Sequence, residues 1–135
     1  MTKETGKNVL SVILGVLTGA AIFTIAGLIL VLTSLPSIKG DTEESGLGNL
    51  AGILEIVPAI LVALSSFMGG YVTAKISTKK DMVHGLITGL VLLGLFVYIN
   101  EIDFAKDVII YYLIIIPLTL LGTYFAIWKK RKNII

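Results

Sequence analysis

Few residues in this chain have both the type and the placement to do chemistry, and Glu55 is foremost among them. It is the one carboxylate that can fall inside a long apolar run, where an ionisable group is by default a functional site. There it could bind a proton or a cation, as the coupling residue of a small transporter or channel subunit. The structural alternative rests on Pro58, which suits the first turn of a helix because its missing N–H costs nothing there. A helix starting at Pro58 leaves Glu55 in a short interfacial segment over 46–56, near water and the positive end of the helix dipole. Even a start at Leu50 puts Glu55 only about 7 Å into the helix.

The other candidates are weaker. His84 opens an apolar run with Asp81 three residues before it, a pairing that suits pH sensing or helix capping. No further His, Cys or carboxylate stands at ligand spacing, so no metal site is expected. The chain has no cysteine, which removes disulfides, thiolate ligands and thiol nucleophiles. No Ser/His/Asp set, phosphate loop or H-E-x-x-H pattern occurs, so neither an enzyme nor a cofactor is expected. Asp41, Glu43 and Glu44 share one Gly/Ser-containing stretch and read as a solvated acidic loop. Pro117 lies within an apolar run, where it can bend a helix by freeing the carbonyl of Leu113.

These residues sit on elements that a bilayer must position. Of 135 residues, 56% are hydrophobic and 15% charged, too apolar for a surface facing water alone. A net charge of +2, without a basic stripe, gives no reason to expect a nucleic-acid partner. Four runs meet the roughly 20 residues a helix needs to cross a hydrocarbon core of about 30 Å. They predict helices over about 9–34, 50–75, 82–99 and 107–128, an outer loop over 36–48 and a basic tail over 129–135. Lipid does not tolerate open backbone, and runs without alternation are not barrel strands. The expected fold is therefore all-α, an integral membrane four-helix bundle with antiparallel neighbours.

Charge sets the direction. Lys3 and Lys7 precede the first run, Lys75, Lys79 and Lys80 join the second to the third, and Lys129, Lys130, Arg131 and Lys132 follow the fourth. The opposite loops carry Lys39 and Lys106 among six acids. The positive-inside rule then puts both termini in the cytoplasm of a cell-membrane protein. Tyr98, Tyr124 and Trp128 fall at the expected boundaries. The first run is too long for a signal-peptide core and no A-x-A site follows it, so it is expected to remain as a span. The basic tail doubles as a topology anchor and a site for anionic headgroups.

Small residues mark where helices should meet, because lipid tails give apolar side chains no reason to prefer one another. Gly52, Glu55, Ala59, Ala63, Ser66, Gly70 and Ala74 form one face of helix 2; Ser11, Gly15 and Gly19 line helix 1, and Tyr112, Thr119, Thr123 and Ala126 line helix 4. Gly15-Val-Leu-Thr-Gly19 echoes Gly85-Leu-Ile-Thr-Gly89, which suggests two tandem helical hairpins. The stretch Gly69-Gly70-Tyr71-Val-Thr-Ala74-Lys75, followed by His84-Gly85-Leu-Ile-Thr-Gly89, resembles the signature of small four-helix membrane proteins of the YrzE-like type. That resemblance implies topology and no particular activity. Physically, Gly69, Gly70, Gly85 and Gly89 are expected to let helices 2 and 3 cross closely, with Tyr71 and His84 at the polar boundary.

The leading functional expectation is a non-enzymatic packing or assembly partner, with the lipid bilayer and a homo-oligomer or membrane complex as its surroundings. A Glu55-based transporter and a phage-type holin, the latter suggested by small size and a basic tail, are the alternatives.

Overall fold

The computed structural model describes the backbone of residues 3–34, 47–99 and 106–133, and the side chains of 3–28, 56–57, 59–99, 109 and 112–133. Four helices make up the fold: α1 (Lys3–Ser34), α2 (Leu47–Ile76), α3 (Asp81–Ile99) and α4 (Lys106–Lys132). Each contains a stretch long and apolar enough to cross a membrane. α3, with 19 residues, is the shortest. Its length of about 28 Å matches a hydrocarbon core of about 30 Å.

The boundaries differ from the sequence reading at three places. α1 begins at Lys3, so its first two turns are polar and project beyond the apolar span. α2 begins at Leu47 and runs through position 58 without interruption, which removes the version in which a helix starts at Pro58. α4 continues through Lys132, making most of the basic tail a last helical turn. The acidic residues 41, 43 and 44 and the rest of 35–46 lie outside the described residues.

Asn8 of α1 meets Thr78 after α2, and Lys130 of α4 meets Asp81 of α3. The start of α1, the end of α2, the start of α3 and the end of α4 therefore share one end of the bundle, an up-down-up-down order with antiparallel neighbours. α2 and α3 form the central pair, each packed against both α1 and α4, while α1 and α4 occupy opposite flanks.

The interior is polar and small, and the outside is apolar. Ser11, Thr73, Thr88, Thr119 and Thr123 are fully buried, whereas Leu17, Leu113 and Tyr98 face outward. In water this arrangement would leave a very large exposed apolar surface. In lipid it is the expected sorting, because the outward side chains match the solvent. The buried hydroxyls do not go unpaired. Ser66 donates to the Val62 carbonyl (2.8 Å), Thr119 to Ile115 (2.7 Å) and Thr73 to Gly69 (2.9 Å), all one turn back on their own helices. An apolar cluster of Val62, Leu92, Phe96 and Ile115 fills the other half of the bundle. There Phe96 stands edge-on to Phe23 (5.2 Å) and to Tyr112 (5.7 Å).

Glycines set the closest approaches. A Cβ on Gly70 would collide with the Thr119 carbonyl, and one on Gly122 with the Phe67 carbonyl. The same sequence shift relates Gly70 to Gly122 and Phe67 to Thr119, so α2 and α4, which run parallel, meet through a reciprocal contact. Gly15 and Gly85 are alike in a second way, since a Cβ on either would strike a threonine side chain, Thr73 or Thr123. These pairs give the two hairpins a common plan. The plan is not kept throughout, because α2 packs on α3 whereas α1 and α4 lie on opposite sides.

Gly70→Ala should lower stability by about 1–3 kcal/mol in reversible detergent unfolding, since its neighbour is backbone and cannot rotate away. Gly94→Ala meets open space and should be neutral or stabilising by up to about 1 kcal/mol. Equal behaviour of the two variants would contradict the packing described.

Candidate functional site

The polar residues of the described chain converge where all four helices meet, around the connection between α2 and α3. α2 closes with a bond from the Ser77 N–H to the Thr73 carbonyl (2.9 Å). The chain turns at Lys80, which has a left-handed φ of 54°. Its carbonyl then accepts from the N–H groups of Val83 (2.9 Å) and His84 (3.3 Å), starting α3.

Asn8 is the acceptor that fixes this turn to α1. Its Oδ1 receives the Thr78 N–H (3.1 Å) and the Thr78 hydroxyl (3.1 Å); the Ser77 hydroxyl lies 3.4 Å away and has a closer acceptor in the Lys79 carbonyl (3.1 Å). Lys130 fixes it to α4, donating from Nζ to the Ser77 carbonyl (2.8 Å) and to Asp81 Oδ2 (3.2 Å). The other Asp81 oxygen is buried with no hydrogen-bond partner. An exposed Lys79–Glu4 pair (2.9 Å) adds a second tie to α1. Solvent screening makes that pair worth at most about 1 kcal/mol.

His84 lies inside this network. Its Nδ1 is 3.0 Å from the Lys80 carbonyl and 3.3 Å from the Ser77 hydroxyl. The tautomer protonated on Nδ1 donates to that carbonyl, so the ring braces the turn. One turn deeper, the Thr73 and Thr88 hydroxyls stand 2.8 Å apart and join α2 to α3. Each hydroxyl has a single proton, so one donates to the other and the second donates to its own helix, at the Gly69 or the His84 carbonyl.

Gly69, Gly70, Gly85 and Gly89 are all buried, but of these four Gly69 alone takes part in the expected contact of α2 with α3. A Cβ on Gly69 would press on Leu92 of α3 (2.9 Å) and on the Gly15 carbonyl of α1 (3.1 Å). Gly70, Gly85 and Gly89 turn towards α4, at Thr119, Thr123 and Thr119 respectively. The reason is geometric. Neighbouring glycines on a helix are about 100° apart, so Gly69 and Gly70 serve different neighbours, and the α2–α3 contact is made by Gly69 on Leu92 together with the threonine pair. Tyr71 is half-buried and packs near Phe125, with ring centroids 6.3 Å apart.

The basic residues 129–132 do not act as one group. Lys130 is turned inward onto Ser77 and Asp81, Lys132 lies 5.3 Å over the Trp128 ring, and Lys129 and Arg131 are exposed. Glu55 lies on the described helix α2, though its side chain is outside the described residues. It stands 20 residues before Lys75, or about 30 Å along the helix, which is the full thickness of a hydrocarbon core. Among the described residues, no group of three or more His, Asp or Glu could hold a metal.

Sequence reasoning singled out His84 and the lysines but missed Asn8, Ser77 and Thr73. No pattern near Asn8 distinguishes it, because its donors come from a turn some seventy residues along. Comparison with protein-family models, characterised proteins and solved structures finds no match to this chain.

Asn8→Ala should cost about 1–2 kcal/mol and speed hydrogen exchange at the Thr78 amide, because both Thr78 donors lose their acceptor. Asn8→Asp keeps the acceptor and should retain protection at that amide; equal exchange in both variants would contradict this role. Lys130→Met should lower stability by about 1–3 kcal/mol through the stranded Asp81 carboxylate and Ser77 carbonyl. Lys129→Met should change it by less than about 0.5 kcal/mol.

Proposed function

We propose that this chain is a polytopic cell-membrane protein with both termini in the cytoplasm, acting as a non-enzymatic packing or assembly partner in a membrane complex or homo-oligomer. The observation that carries this reading is the way the interior is used. Glycines bring backbones into contact and the buried hydroxyls bond to their own helices, so the bundle interior is spent on holding itself together. The broad outward face of Leu, Ile and Val is left for lipid or for a neighbouring helix. A cavity of about 110 Å³ does adjoin Phe23, Val62, Phe96 and Ile115, but its mainly apolar walls favour a dry space over a water path. The lysine-rich ends of the helices support the cytoplasmic placement of both termini. The resemblance to YrzE-like membrane proteins supports the same topology.

A second reading keeps Glu55 as a proton or cation site, and the continuity of α2 through position 58 favours it by placing Glu55 within a helix. Its distance from Lys75 counts the other way. At about 30 Å it lies near the far boundary of the core, where a carboxylate needs no special function.

Two measurements test these readings. Because the chain has no cysteine, single substitutions can be labelled cleanly with a membrane-impermeant maleimide. Glu44→Cys should label from outside intact cells and Asn133→Cys only after permeabilisation; the reverse would overturn the orientation. Protein extracted from its membrane in mild detergent should run above the 14.5 kDa monomer by light scattering once bound detergent is subtracted. A monomer alone would contradict assembly, and proteoliposome cation flux lost in Glu55→Gln would favour the second reading.

A further inference from the structure

Two lysines without an ion pair among the described residues share a pocket at the end of the bundle that carries both termini. The pocket lies between α2 and α4, has a volume of about 240 Å³, and is lined by Tyr71, Lys75, Ala126, Lys129, Lys130 and Asn133. α2 supplies Tyr71 and Lys75, the last turns of α4 supply Ala126, Lys129 and Lys130, and Asn133 follows directly after α4. The pocket sits on the same α2–α4 seam as the Gly70–Thr119 contact, which draws the two helices together deeper in the bundle.

The three ammonium groups are not equivalent. Lys130 is committed to Asp81 and the Ser77 carbonyl. Lys75 and Lys129 are exposed and have no ion pair among the described residues. Both helices end here, and their C-termini contribute partial negative charge, so the positive character of the pocket comes from side chains alone. Two like charges facing one cavity repel each other, and an anion placed between them relieves that repulsion. Tyr71 and Asn133 line the same space, and a phenol and an amide are both hydrogen-bond donors.

We propose that this pocket binds the phosphate of an anionic phospholipid headgroup, held chiefly by Lys75 and Lys129. The membrane supplies the reason to favour a lipid over free phosphate. Lys75 stands one residue before the end of α2, and Trp128 and Tyr124 face outward on the same end of α4, at the level where headgroups begin. A volume of about 240 Å³ equals roughly eight water molecules at about 30 Å³ each, room for a phosphate with part of its hydration. Lysines act as point charges and do not impose the planar geometry of arginine, so the site selects charge more than headgroup shape. This inference needs only a bilayer around the bundle and is independent of the assembly role and of the orientation proposed above.

The test is lipid retention by the full chain, followed by native mass spectrometry with phosphatidylglycerol and phosphatidylcholine as probes. Phosphatidylglycerol should be retained in preference to phosphatidylcholine. Lys75→Gln combined with Lys129→Gln should reduce its retention about thirtyfold, in line with the attraction of each basic residue for an anionic surface. Lys132→Gln, whose charge lies over the Trp128 ring, should change it by less than about twofold. An equal loss in Lys132→Gln would mean diffuse attraction by the whole tail and would overturn the pocket. Displacement of the lipid by millimolar inorganic phosphate would overturn the lipid as occupant. If circular dichroism shows the double variant unfolded, Lys75→Gln alone, on an exposed side chain, should still lower retention about fivefold, and no loss there would overturn the proposal.

Discussion

Close contact between backbones is the constraint on which the rest of this structure depends. In water, burial of apolar side chains would drive four helices together; in lipid that force is absent between helices and only packing, hydrogen bonds and lipid entropy remain. The chain meets this condition by removing side chains where helices cross. Gly70 and Gly122 each admit a carbonyl of the other helix where a Cβ would stand, and Gly15 and Gly69 face each other across α1 and α2 in the same manner. Once backbones are this close, hydroxyls become the natural side chains beside them. Serine and threonine are small, and each can return its proton to its own helix. Thr119 and Thr73 do both, since each closes a local bond and fills the space left by a glycine.

The end of the bundle carrying the termini solves a different problem. Four helix ends meet there, and each leaves backbone groups without helical partners. Asn8, His84 and Lys130 supply partners to that region from α1, α3 and α4, and Ser77 does so from the turn that follows α2. The left-handed Lys80 is tolerated at the centre because its carbonyl starts α3 and also meets His84. This half is therefore held by directional bonds. The other half is held by the aromatic contacts of Phe96 with Phe23 and Tyr112.

The four helices were legible in the sequence because the signal is a bulk one: apolar runs of spanning length bounded by lysines. The stripe of Ser66, Gly70 and Ala74 on α2 was legible as well, since it follows helical period, and all three are buried. Which helix each glycine serves was not legible. Gly85 and Gly89 meet α4 because of how the bundle closes, and periodicity along one helix carries no information about that closure. The same limit hid Asn8 and the Thr73–Thr88 bond, whose meaning comes entirely from residues distant in the chain. Pro58 left the start of α2 open for another reason. It is a favourable residue for a helix start, but such a preference is local, and α2 begins earlier at Leu47.

The most direct test of backbone contact as the organising interaction is a double-mutant cycle on Gly70→Ala and Gly122→Ala, read by reversible unfolding in detergent. Both methyl groups would push apart the same pair of helices. Once one has separated them, the second should cost less, and the double variant should be more stable than the sum of the singles predicts by at least about 1 kcal/mol. Strict additivity would mean that the two glycines act separately, and would contradict the reciprocal α2–α4 contact on which this account rests.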